Sequence, residues 1–111
     1  MLDKLDKSNN RLYPFRQGNV NVKHYLPLLE AEEAAYNGND ATRLYGEAIS
    51  MAKISGFQHN AALASERFGE YLLHDLNDER RAMTYIRDAA QYYSAWGSDY
   101  KAHLLEEKYN I

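Results

Sequence analysis

The residues best suited to chemistry in this 111-residue chain are four histidines and sixteen carboxylates, so their spacing is the first thing to read. His24, His59, His74 and His103 fall in or beside different predicted helices. None belongs to a His-x3-His or His-Glu-x2-His pair, the spacing that sets two metal ligands on one helical face. His103 with Glu106 and Glu107 does bring an imidazole and carboxylates within one turn, as a small helical enzyme or metal carrier would. A surface ion pair accounts for that spacing equally well. Glu30, Glu32 and Glu33 sit mid-helix, where general acid–base work would need one of them buried with a raised pKa. Glu32 shares a face with Tyr25, Leu28, Leu29 and Tyr36 and is expected to be partly buried, whereas Glu30 and Glu33 should face water. The glycines are isolated, with no Gly-x-Gly-x2-Gly or Gly-Lys-Ser/Thr phosphate cradle. No serine has a paired histidine to make a nucleophile. The residues therefore point to no catalytic group, no metal and no cofactor.

The elements that would position these side chains are helices. An apolar content of 45%, a charged content of 26% and a net charge of -3 describe one small domain with a single core. The absence of cysteine removes disulfides, thiol nucleophiles and thiolate metal sites, and points to a cytosolic compartment. No uncharged stretch approaches the roughly 20 residues a membrane-spanning helix needs, and the opening MLDKLDKSNN lacks the apolar run of a signal peptide. Scattered lysines and arginines in an acidic chain give no basic field for nucleic acid or anionic lipid.

Only two prolines and six glycines punctuate the chain, and the apolar residues recur at three- and four-residue spacing, which predicts an all-α fold of five to six helices. Residues 1–18 read as a short or frayed N-terminal helix carrying Leu2, Leu5, Leu12 and Phe15, and residues 19–111 as the helical domain proper. Its first helix covers about Asn21 to Asn37, with Pro27 kinking it or delaying its start. Asn39 or Asp40 caps the next, which Gly56 closes. The following helices run from about Gln58 to Leu76, from Asn77 or Asp78 to Trp96 before Gly97, and from Ser98 or Asp99 onward. Connections of two to five residues force neighbours to lie antiparallel, as stacked hairpins.

The chain also repeats itself. A shift of 41 residues lays Ala41 on Ala82, Ala48 on Ala89, Gly56 on Gly97, Ala61 on Ala102, Leu63 on Leu104 and Glu66 on Glu107, with Phe68 on Tyr109 as a close match. Ala41, Tyr45 and Ala48, then Ala82, Ile86 and Ala89, show the small-large-small spacing of the second helix in tetratricopeptide-like (TPR-like) repeats. The fold expected is a short TPR-like solenoid. Ala41, Tyr45, Ala48, Gly56, Phe68, Ala82, Ile86, Ala89, Tyr93, Trp96 and Gly97 are its packing residues, with Trp96 buried between the last two helices. The ten tyrosines are the unusual part of the composition. Most should fill helix interfaces with the hydroxyl at an edge. Tyr92, Tyr100, Leu105 and Tyr109 are candidates for an interaction surface.

The stretch from Leu44 and Tyr45 through Ala61, Ala62, Leu63 and Ala64 to Tyr85, Tyr93, Trp96, Gly97 and Lys101 resembles the TPR-like helical region of very large hybrid signalling kinases. Its most specific part is Tyr-x7-Tyr-x2-Trp-Gly-x3-Lys, here Tyr85, Tyr93, Trp96, Gly97 and Lys101. Asn21, His24, Leu28, Glu30, Ala31, Glu32 and Gly38 are similar to that family's preceding hairpin. The chain departs from the pattern at Pro27 and in the turn near Asp75 to Asn77, where the family tends to have a glycine. The resemblance implies a non-enzymatic module between an AAA/STAND-type ATPase module and GAF and histidine kinase modules, with those neighbours as its protein partners. The alternatives are a free-standing adaptor or homo-oligomer, and a small helical enzyme or metal carrier using His103, Glu106 and Glu107.

Overall fold

The computed structural model describes residues 25–111, and the expected N-terminal helix of residues 1–18 and His24 lie outside them. The described residues form five helices and no strand: α1 Leu26–Tyr36, α2 Thr42–Ser55, α3 Gln58–His74, α4 Glu79–Trp96 and α5 Asp99–Tyr109. Pro27 lies in the first turn of α1, where a missing N–H costs no helical hydrogen bond, so it marks the start of the helix. Asp78 and Ser98 are the N-caps of α4 and α5, whereas α1, α2 and α3 begin at Tyr25, Ala41 and Phe57 with no side-chain cap. The expected cap of α2 at Asn39 or Asp40 gives way to Ala41, one residue after Asp40. Asp40 accepts a hydrogen bond from the Thr42 N–H at 3.0 Å, Asp78 from the Arg81 N–H at 3.2 Å, and Ser98 from the Lys101 N–H at 3.3 Å. Gly56 and Gly97 close α2 and α4 with φ of 77° and 110°, backbone that a Cβ would strain. Asn77, at φ 55°, takes the left-handed position in the α3–α4 turn. A short polar side chain does there what a glycine would do.

Each helix packs against its neighbours in sequence, and α3 with α4 forms the most extensive pair. The reason is side-chain size. Along α3, Ala62, Ser65 and Gly69 are buried, and they meet a partner on which Ala82 and Ala89 are fully buried. The small residues let the backbones approach, and the interior stays close-packed because Ile86 fills the space that Gly69 leaves. The Ser65 hydroxyl, wholly buried here, has no hydrogen-bond partner among the described residues.

Two apolar clusters share α3 and α4. One joins Leu28 and Ala31 of α1 with Tyr45, Ala48 and Ile49 of α2 and with Phe68, Tyr71 and Leu72 of α3. Aromatic rings hold its centre: Tyr45 stacks on Phe68 at 5.4 Å and leans on Tyr71 at 5.3 Å, and Phe68 meets Tyr85 at 4.5 Å. The other joins Ala62 with Ala89, Ala90 and Tyr93 of α4 and with Ala102 and Leu105 of α5. Of the expected packing residues, Ala41, Tyr45, Ala48, Phe68, Ala82, Ile86, Ala89 and Tyr93 are all buried.

Gly56 and Gly97, which close helices, are exposed, and so is Trp96. It was expected between α4 and α5, but it is 53% exposed. The helix ends at Trp96 and Gly97 turns the chain away, so the inward position belongs to Tyr93 one turn earlier. The indole rests on His59 of α3, at 4.5 Å between ring centroids. No helix among the described residues is long and apolar enough to cross a membrane.

Candidate functional site

The three described histidines do not converge. His59 lies beside Trp96 and Tyr93, His74 is exposed in the last turn of α3, and His103 reaches Glu106 at 3.1 Å on the exposed face of α5. Among the described residues no three His, Asp or Glu side chains cluster as they would around a metal ion. Burial lowers the His59 pKa below the usual imidazole range, and the nearby Lys101 charge adds to the effect.

Three buried or half-buried tyrosines instead organise the carboxylates. The Tyr45 hydroxyl of α2 donates to Glu32 of α1 at 2.9 Å, that of Tyr93 in α4 to Glu66 of α3 at 2.7 Å, and that of Tyr109 in α5 to Glu70 of α3 at 3.2 Å. Each ring covers core while its polar tip finds an acceptor at the edge of the interface. Cations stand over the same places. Lys101 lies 5.0 Å from the Tyr93 ring centroid, Lys108 lies 5.2 Å from that of Tyr109 and 3.7 Å from Glu70, and Arg67 lies 3.9 Å from Glu32. Burial, and then the Glu32 carboxylate, raises the Tyr45 hydroxyl well above the tyrosine range; Tyr93 is raised by burial and by its bond to Glu66. A fourth hydroxyl, that of Tyr71, accepts from the Ala41 N–H at 3.1 Å and ties the start of α2 to α3.

Glu32 is thus half-buried, as its helical face implies, but as an acceptor within an interface. Glu30 is exposed, and Glu33 is half-buried where exposure was expected. Sequence reasoning passed over Glu66 and Glu70 as acceptors. Their signal was available: two carboxylates one turn apart on α3, in a chain whose many tyrosines need partners for buried hydroxyls.

The expected interaction surface also changes. Leu105 is 4% exposed and belongs to the second apolar cluster, and Tyr109 is held inward by Glu70, so neither offers a free face. Tyr100 is 73% exposed and Leu104, one turn on, is half-exposed. Tyr92 is half-buried and lines a cleft of about 230 Å³ with Ala52, Lys53, Gly56, Phe57, Gln58 and Ala61. Met51, Ile54, Phe57 and Trp96 are further large apolar side chains open to solvent around the ends of α2 and α4 and the α2–α3 turn. Comparison of the chain with protein-family models, with curated proteins and with solved structures returns no match.

Proposed function

We propose that this chain is a non-enzymatic, TPR-like helical-repeat module that mediates protein–protein or interdomain contact in a signal-transduction protein linked to ATPase and kinase modules. The observation that carries the interaction role is the group of large apolar side chains left open at the end of the domain where α2 and α4 terminate. Large apolar side chains exposed near one another favour an association role over a purely structural one. The repeat reading draws support from burial: the pairs Ala41 and Ala82, Ala48 and Ala89, and Ala61 and Ala102 are all buried, and Gly56 and Gly97 close equivalent helices. The carboxylates best placed for chemistry by burial, Glu32, Glu66 and Glu70, accept hydrogen bonds from tyrosines that join helices, which favours a structural use over a catalytic one.

The placement beside ATPase and kinase modules rests on the sequence resemblance alone, and reading the gene on both sides of this segment tests it. A frame that continues into ATPase-type and GAF-type modules supports the placement. A stop codon directly after Ile111 with no such module upstream overturns it. The open Tyr100 and Leu104 on α5 favour a second reading, a free-standing adaptor that also pairs with itself.

A further inference from the structure

We infer that the cleft between the α2–α3 turn and α4 is a docking site for a partner-protein segment carrying one large apolar side chain flanked by carboxylates. The inference rests on the reading of the domain as an interaction module and gives that module a site and a ligand chemistry.

The cleft is built from contrast in side-chain size. Ala52, Gly56 and Ala61 supply its small residues, and Phe57 and Tyr92 supply aromatic surface. Trp96, four residues after Tyr92 on α4, extends the aromatic strip beyond the cleft and keeps half its surface in water. At about 230 Å³ the space falls below the range of roughly 300–1,000 Å³ typical of small-molecule and cofactor pockets. It suits a single bulky side chain.

Charge decides what surrounds that side chain. Among the described residues Lys53 is the one charged residue lining the cleft, it is exposed, and its ammonium makes no ion pair or hydrogen bond. No carboxylate among the described residues lines the cleft. Lys101 lies 5.0 Å from the Tyr93 ring centroid and lines a separate depression with Glu66, Glu107 and Lys108, so the charge of the cleft itself is that of Lys53. An apolar cleft edged by an exposed lysine and, among the described residues, by no carboxylate selects an apolar residue with acidic neighbours and discourages a basic segment. The chain as a whole is acidic, so this local positive character is a property of the cleft and not of the general surface.

Trp96 is the single tryptophan and therefore reports from the edge of the site. The test titrates the full chain with blocked short peptides whose central leucine or phenylalanine is flanked by glutamates, by glutamines or by lysines. Tryptophan emission gives the affinity, and amide chemical shifts give the location. The glutamate-flanked peptides should bind saturably and move the amides of Lys53, Phe57, Gln58 and Tyr92. Lys53→Glu should weaken them about tenfold while Lys53→Arg retains binding, both with unchanged circular dichroism. Equal binding of lysine-flanked peptides, indifference to Lys53→Glu, or no binding by any peptide would overturn the site. Shifts confined to Tyr100 and Leu104 on α5 would also overturn it while leaving the interaction role of the domain intact.

Discussion

Gly69 of α3 and Ile86 of α4 occupy each other's space: a Cβ on Gly69 would lie 2.5 Å from Cδ1 of Ile86 and 2.8 Å from its Cγ1. The same Cβ would stand 3.2 Å from the backbone oxygen of Ala82, which cannot swing aside as a side chain can.

Gly69→Ala therefore opposes two effects. The alanine gains about 1 kcal/mol of helix propensity, but separating packed helices costs about 1–3 kcal/mol. Gly46 in α2 has nothing within 4 Å of its Cβ position and carries only the first effect. Gly46→Ala should stabilise the domain by about 0.5–1 kcal/mol, and Gly69→Ala should lower the urea midpoint. A midpoint for Gly69→Ala at or above the parent's would show that α4 shifts freely and that the close crossing is not a constraint.

That crossing shows which parts of the fold could be read in advance. Helix ends were legible where Asp78, Ser98, Gly56 and Gly97 act locally, through caps and left-handed backbone that depend on few neighbours. The inward alanines were legible from periodicity. Leu63 and Leu104 match under the 41-residue shift of the sequence, yet Leu63 is packed against the core and Leu104 is half-exposed, because among the described residues α3 is covered by a following helix and α5 is not. The cleft was not legible. It joins the α2–α3 turn to Tyr92, which lies more than thirty residues further along the chain, and no local pattern connects them.

The tyrosine hydroxyls impose an alkaline limit on stability. Tyr45 and Tyr93 keep their protons in the folded chain above the ordinary value of 10.0, through burial and their glutamate acceptors. Below pH 10 both states are protonated at these positions and the contribution is complete. Above it the unfolded chain releases protons that the folded chain retains, so stability falls as pH rises. The combined Tyr45→Phe and Tyr93→Phe chain should lose about 0.5–1.5 kcal/mol per hydrogen bond at neutral pH and show a shallower decline above pH 10. Urea midpoints across the alkaline range provide the check, and parallel declines in the two proteins would refute this role for the hydroxyls.

Trp96 should be inexpensive to remove. Its ring is open on much of its surface and touches His59 on one side, so Trp96→Ala should cost about 1 kcal/mol, against the roughly 3–5 kcal/mol of a buried tryptophan. The contact also makes its fluorescence sensitive to acid. His59 is held neutral below the ordinary imidazole value of 6.5, and its protonation as pH falls places a quenching imidazolium against the indole. Quenching with a midpoint below pH 6.5, absent from His59→Gln, is the expected result. The same midpoint in both proteins would assign the quenching to another group.

Tyr100 and Leu104 on α5 are the last consequence of unequal covering. They lie one turn apart on a helix whose opposite side, through Ala102 and Leu105, is buried, so α5 carries an apolar stripe toward water as well as one toward the core. A repeat stays soluble as a monomer when a polar face or another helix covers such a stripe. A second copy is one such cover, and the contact involves few side chains. Self-association should thus be weak and visible toward millimolar concentration, where contacts worth about 4 kcal/mol register. Replacing Tyr100 with serine and Leu104 with glutamine should abolish it without lowering the unfolding midpoint, since neither side chain is buried in the monomer. Light scattering across a concentration series decides the point. A strict monomer in the parent chain, or undiminished association in the double variant, would remove α5 as the self-pairing face.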